Sequence, residues 1–297
     1  MDQLEGFTIV REEDKVYHLQ RSIYGLKQAS WSWNIRFDEV IRGYDFVKND
    51  SDACVYKKVS GSSVVFLVLY VDDILLIEND IKMLGHTKAW LSTQFSIKDL
   101  GESSYIIGIK IFKDRSKRIL GLTQNSYLEK VLKRLKMEHS KRGFLQMRHK
   151  VKLSKKQSPR TDEELKNMLD IPYTSAVGSI QYATQCIRLD IAYALSVMNR
   201  YQACAGEAHW TVVKVILKYL RKTKDLFLVY SDGELILEGF SDASFQSDDD
   251  DGKSQSGFVF KLNGGVVAWK SSKKDTTAYS TMEVEYLAAS EAAKEAV

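Results

Sequence analysis

The sequence predicts an α+β chain, and three observations carry that prediction. Continuous or alternating apolar, β-branched runs recur at residues 64–77, 103–124 and 234–269, and stretches with apolar residues at helical spacing lie between them. At 297 residues the chain is long enough for two domains, or for one domain and part of another. Its 44% hydrophobic content suffices to bury a core and excludes wholesale disorder.

Taken in order, "SWSWNIRFDEVIRGY" repeats Trp33, Phe37 and Ile41 at a spacing of four, which predicts a helix with one apolar face. "VVFLVLYVDDILLI" is two apolar runs around an acidic pair and predicts an antiparallel hairpin with Asp72 and Asp73 at its tip. "DIKMLGHTKAWLSTQF" carries Ile81, Leu84, Trp90 and Leu91 on a broken helical stripe. "SSYIIGIKIFKD" and "RILGLTQ" read as two strands, and "SYLEKVLKRLKME" as an amphipathic helix with Leu128, Val131, Leu132 and Leu135 inward. Residues 173–222 read as all-helical, with Val177, Ile180, Ile191, Leu195, Trp210, Val213, Leu217 and Leu220 on the apolar faces. The strand pattern returns with "LILEGFSDASF", "GFVFKL" and "VVAWK". The last two are joined across Asn263-Gly264-Gly265, a strong hairpin signal. An Ala- and Glu-rich helix closes the chain.

Two features point beyond architecture. Adjacent carboxylates raise each other's pKa unless a cation lies between them, and Mg²⁺ accepts carboxylates together with phosphate oxygens. On physics alone Asp72-Asp73 is either a hydrated turn or a metal site. Residues 130–160 hold twelve Lys or Arg against one acid, Glu138, while the net charge of the chain is only +4. Such a block suits a phosphate backbone; a solvated, poorly ordered surface segment is the plain alternative. The acidic run at residues 248–251 reads as a hydrated turn and lacks the spaced ligands of a calcium loop.

Three scattered cysteines, with no CxxC pair, indicate neither a zinc site nor a disulfide framework and favour a reducing compartment. The N-terminus lacks the apolar core of a signal peptide, and no apolar run approaches the ~20 residues a membrane helix needs. A chain without membrane contact, in the cytoplasm, is expected.

"YVDDILLI" resembles the catalytic hairpin of reverse transcriptases, and its surroundings resemble the copia type of LTR-retrotransposon Pol polyprotein. "MDQLEGF" is similar to that family's M-x-Q-P-E-G-F, and "SIYGLKQASWSWN" to its L-Y-G-L-K-Q-A-x-R-x-W. "IKDLGESSYIIGIKI", "PYTSAVGSIQY" and "RLDIAYALSVMNRY" follow its middle. The stretch from "GFSDASF" to "AASEAAKE" resembles the start of its ribonuclease H. The resemblance implies a palm and fingers part over 1–120, a helical thumb and connection over 121–233, and an incomplete ribonuclease H-like α/β domain over 234–297.

It also implies roles. Asp72 and Asp73 hold Mg²⁺, or Mn²⁺, at the polymerase centre. Gly25, Lys27 and Gln28 line the deoxynucleotide pocket, although Lys27 by itself reads equally as a surface lysine. Lys130, Lys133, Arg134 and Lys136 track the RNA template and the RNA/DNA hybrid. Asp242 and Glu283 hold the ribonuclease H metal, with Glu285 in reserve. Ser280-Thr281-Met282-Glu283 also has the form of a helix capping box, with Glu283 at its third helical position.

The sequence departs from the family pattern as well. The family's third polymerase carboxylate lies upstream of its M-x-Q-P-E-G-F segment, leaving only Asp2 and Asp14 as nearby candidates here. A further ribonuclease H Asp is expected after the last helix. Leu4, Trp31 and Leu189 replace Pro, Arg and Pro, and Glu78 replaces a small residue and adds a negative charge near the acidic pair. The expectation is a fragment cut short at both ends and inactive alone, with a non-catalytic nucleic-acid-binding remnant as the alternative.

Overall fold

The computed structural model describes residues 15–16, 20, 23, 26–71, 73–148 and 151–297. It is a mixed α+β chain in two compact units, residues 1–103 and 104–297.

In the first unit a helix, α1 (Lys27–Arg42), leads into four strands: β1 (Val47–Lys48), β2 (Val55–Ser60), β3 (Ser63–Tyr70) and β4 (Asp73–Glu78). They form an antiparallel meander in sequence order, followed by α2 (Ile81–Gln94). The alternation of β3 sets its faces: Val65, Leu67 and Leu69 are buried, while Phe66 and Tyr70 are exposed. The buried face joins Phe37 and Ile41 of α1, as their spacing predicts, together with Phe46, Tyr56, Leu91 and Phe95. Trp33 stays at the rim, its ring edge-on to Phe95 at 5.3 Å. In α2 the inward face runs through Thr87 and Leu91. Ile81, read from the sequence as part of the stripe, is 76% exposed. It follows directly on the helix cap, where Asp80 accepts the Lys82 N–H at 2.9 Å.

The second unit opens with β5 (Tyr105–Ile106), β6 (Ile109–Asp114) and β7 (Ile119–Thr123). The run read as one strand from residue 103 is thus two, folded at Ile107 and Gly108, both with positive φ (49° and 71°). Five helices follow: α3 (Asn125–Arg134), α4 (Asp162–Leu169), α5 (Tyr173–Cys186), α6 (Ala192–Asn199) and α7 (Glu207–Thr223). The core around α3, α5, α6 and α7 includes Leu128, Val131, Ile180, Ile191, Leu195, Val213, Leu217 and Leu220, nearly the set that helical spacing selects; Trp210 is only partly buried, and α4 buries none of its residues. Each fully buried aliphatic side chain here contributes about 1.5–3 kcal/mol. After α7 the chain returns to the first sheet as β8 (Leu228–Tyr230), which pairs with β7.

The last part of this unit is an antiparallel sheet of β9 (Glu238–Ser244), β10 (Gln255–Leu262) and β11 (Gly265–Lys273), in the order β11-β10-β9, with α8 (Thr281–Glu295) packed on β9 and β10. The β10–β11 turn is Asn263-Gly264, at φ 51° and 75°, as the Asn-Gly signal requires. β9 starts later than its apolar run suggests, and Leu235, Ile236 and Leu237 are exposed.

The acidic run at 248–251 is a turn, as its composition suggests, with Asp249, Asp250 and Asp251 exposed, but its first residue is not hydrated. Asp248 is 5% exposed and pairs with Arg200 at 2.6 Å and Lys273 at 3.0 Å. Burial alone would raise its pKa. The Lys273 hydrogen bond, the Asp250 N–H and Arg200 instead bring it down to about 2. Asp250 accepts the Lys155 N–H at 2.9 Å and thereby fastens the basic segment.

Candidate functional site

The β3–β4 hairpin is where the sequence places its chemistry. Its register pairs Leu67 with Leu76, Leu69 with Ile74 and Tyr70 with Asp73. The ladder therefore closes on the Tyr70–Asp73 pair, so Asp73 begins β4 and does not lie in the turn that the acidic pair suggests. This register leaves Asn79 able to close the other end, where its side chain accepts the Val64 N–H at 2.8 Å and donates to the Ser62 carbonyl at 2.9 Å. Val71 has φ 51°, a left-handed conformation that costs a β-branched residue about 1–2 kcal/mol.

Paired residues share a face, so Asp73 lies with Tyr70, Phe66 and Ile77 on the side away from the core. Asp73 is exposed and has no hydrogen-bond or ion-pair partner among the described residues. Asp72 lies outside the described residues, as do Gly25, Asp2 and Asp14. Glu78 does not join the acidic pair. It sits five residues along β4 opposite Val65, about 16 Å from Asp73 at the usual strand rise.

Lys27 and Gln28 open α1. This helix has no side-chain cap and no acid in its first turn; the Ala29 N–H donates to the Leu26 carbonyl at 3.0 Å, and the Gln28 side chain is exposed. On α3, burial of Leu128, Val131 and Leu132 turns Lys130, Lys133 and Arg134 outward; Lys136 follows the helix and is exposed too. Arg134 donates to the Ser179 hydroxyl. Leu153 and Ser154 of the basic segment are held by Tyr201 and His209. Leu153 is buried, and its carbonyl accepts from Tyr201 Oη at 2.8 Å. His209 stacks on Tyr201, accepts the Gly206 N–H at Nδ1 and donates from Nε2 to the Ser154 carbonyl at 3.2 Å.

In the last sheet Asp242 pairs with Gly257 and is exposed, with no side-chain partner among the described residues. Glu283 is engaged locally: its N–H donates to Ser280 Oγ at 3.1 Å and its carboxylate accepts the Tyr279 N–H at 2.8 Å. The second bond reaches the residue before the cap, a variant of the capping box. Glu285 is exposed and unpartnered among the described residues. No cluster of three or more His, Cys, Asp or Glu converges among the described residues. The Asp248–Arg200–Lys273 network had no local signal, because its members lie 48 and 25 residues from Asp248.

The family model described as reverse transcriptase (RNA-dependent DNA polymerase) matches residues 1–147. Over its whole length the chain is 41% identical to the retrovirus-related Pol polyprotein from transposon TNT 1-94 of Nicotiana tabacum. The chain belongs to the reverse transcriptases of copia-type retrotransposon Pol polyproteins. That alignment covers 22% of the tobacco protein. A second similar protein, the retrovirus-related Pol polyprotein from transposon RE2 of Arabidopsis thaliana, is 31% identical over 96% of this chain and 19% of its own length. The chain thus spans about a fifth of these curated relatives. A putative transposon Ty5-1 protein of Saccharomyces cerevisiae is 28% identical, with 99% of this chain and 94% of the yeast protein aligned. No solved structure matches. Reverse transcriptases act on RNA templates and deoxynucleotides and use divalent metal ions. Among the described residues, no helix is long and apolar enough to cross a membrane.

Proposed function

We propose that the β3–β4 hairpin is the metal-carrying hairpin of an RNA-directed DNA polymerase, with Asp72 and Asp73 as its carboxylates. The observation that carries this reading is Asp73: a solvent-facing, unpartnered oxygen donor at the mouth of a hairpin whose opposite face is locked into the core. Its donor chemistry fits Mg²⁺ or Mn²⁺, which need only one or two protein carboxylates when substrate phosphates complete the shell. When bound, the ion supplies Lewis-acid stabilisation and a more acidic primer hydroxyl. The first turn of α1, with Gly25, Lys27 and Gln28, receives the triphosphate of the incoming deoxynucleotide through backbone N–H groups and the Lys27 charge. Exposed Lys130, Lys133, Arg134 and Lys136 neutralise the template–primer backbone.

Over residues 234–297 we read the start of a ribonuclease H, acting on the RNA/DNA hybrid. Asp242 fits as a free ligand there. Glu283 fits less well, because a metal would have to displace its bond to the Tyr279 N–H; Glu285 is the free carboxylate nearby. That engagement of Glu283, beside the well-exposed basic residues, favours a second reading for this chain: nucleic-acid binding without catalysis.

The test is primer extension on an RNA template with Mg²⁺ or Mn²⁺, beside a chain carrying Asp72→Asn and Asp73→Asn. Extension that disappears in the substituted chain establishes the polymerase reading. Extension that survives contradicts it, and silence from both chains with retained RNA binding favours the second reading.

A further inference from the structure

Within the basic segment Phe144 is an exposed aromatic side chain, 74% exposed, next to Leu145 at 55%. A single exposed Phe is ordinary by itself. This one is held in place. The Gly143 N–H donates to the Lys218 carbonyl of α7 at 2.9 Å, and a Cβ on Gly143 would lie 3.0 Å from Lys218 Cβ and from the Tyr219 nitrogen, so the loop is pressed onto the helix. The Lys222 ammonium sits 3.2 Å from the centroid of the Phe144 ring. Lys141, Arg142 and Arg148 flank it and are exposed, and no Asp or Glu occurs from residue 139 to residue 161.

We propose that Phe144 is a stacking platform for an unpaired nucleobase, with Lys222 on its ring and Lys141, Arg142 and Arg148 near it in sequence, so that the loop at residues 141–148 takes single-stranded nucleic acid in preference to duplex. The inference rests on the reading of residues 130–160 as a nucleic-acid face and adds what that face distinguishes. Cations track a phosphate backbone whether or not its bases are paired. An exposed aromatic face discriminates, because a base inside a duplex already stacks on its neighbours and has no face to offer. Lys222 covers one side of the ring and orients it, which leaves the opposite side for the base.

The experiment compares the full chain with Phe144→Ala and Phe144→Tyr, by fluorescence anisotropy of a labelled oligoadenylate single strand and of the same strand annealed to its complement. Phe144→Ala is expected to lose about fivefold or more in single-strand affinity with duplex affinity unchanged, and Phe144→Tyr to keep both. Circular dichroism checks that the exposed substitution leaves the fold intact. Single-strand affinity that Phe144→Ala leaves unchanged, or single-strand and duplex affinities that fall together, overturns the stacking role while the basic face stands. A wild-type chain that binds neither strand form overturns the basic-face reading, and the stacking role with it. Sedimentation showing a dimer that Phe144→Ala dissociates, with oligonucleotide binding intact, makes the ring a self-association contact and also overturns the proposal.

Discussion

Tyr70 and Asp73 face each other as the last pair of the β3–β4 ladder, separated only by Val71 and Asp72. That closeness forces the first turn residue, Val71, to φ 51°. Glycine has no penalty there, although it loses about 0.5–1 kcal/mol through its greater unfolded-state freedom. Val71→Gly is therefore expected to leave stability unchanged or raise it by up to about 1 kcal/mol. Urea denaturation checks this, and a loss beyond about 1 kcal/mol would show that the turn is not strained.

The Asp248 network predicts a large effect from a small change. Asp248→Asn removes the one carboxylate between Arg200 and Lys273 and leaves the Arg200 charge, 14% exposed, without its partner. The expected cost is about 3 kcal/mol, read as a lower urea midpoint. The pKa of Asp248 is depressed from 3.8 to about 2, so its stabilisation is present above about pH 3.8 and is lost as pH falls towards 2. Acid titration of the variant should lack that component.

His209 gives a second window nearer neutrality. Burial pushes its pKa below the ordinary 6.5, and its two nitrogens are used in the neutral form. Since the unfolded chain takes up the proton first, stability is present above about pH 6.5 and declines as pH falls below it. Thermal unfolding from pH 7.5 downward should show this slope, and His209→Gln should flatten it.

Two glycines should respond with opposite sign. A Cβ on Gly206 would lie 2.0 Å from the Gln157 carbonyl oxygen, so Gly206→Ala must push residues 154–158 from the start of α7 and is expected to cost about 1–3 kcal/mol. Gly178, exposed inside α5, has nothing within 4 Å of its Cβ position, and Gly178→Ala should stabilise by about 0.5–1 kcal/mol. Denaturant midpoints of the two variants decide both.

Apolar spacing made the helices and the hairpins legible. Phe37, Ile41, Leu217 and Leu220 are buried because helical periodicity and burial are the same constraint. The turn position was not legible, because Asp-Asp is the better turn former, whereas cross-strand packing of Leu67 on Leu76 and the Asn79 closure set the register. The fold at Ile107-Gly108 was hidden for a related reason: Ile107 continues the apolar alternation straight through the bend. At the candidate site, the acidic pair and the basic run stand out in composition, but whether a carboxylate is free does not. Asp73 and Asp242 are unpartnered among the described residues and Asp248 is taken by two distant cations, a distinction only the tertiary structure makes, whereas the local cap that engages Glu283 was legible in Ser280-Thr281-Met282-Glu283.

The central claim is that the β3–β4 hairpin binds a divalent ion through its acidic pair, and paramagnetic broadening by Mn²⁺ tests it most directly. In amide spectra of the labelled chain, substoichiometric Mn²⁺ should first erase the signals of Tyr70, Val71, Asp73 and Ile74. The same titration of a chain with Asp72→Asn and Asp73→Asn should leave them. Broadening that begins elsewhere, or that is identical in the two chains, would contradict the assignment of this hairpin as the metal-carrying element.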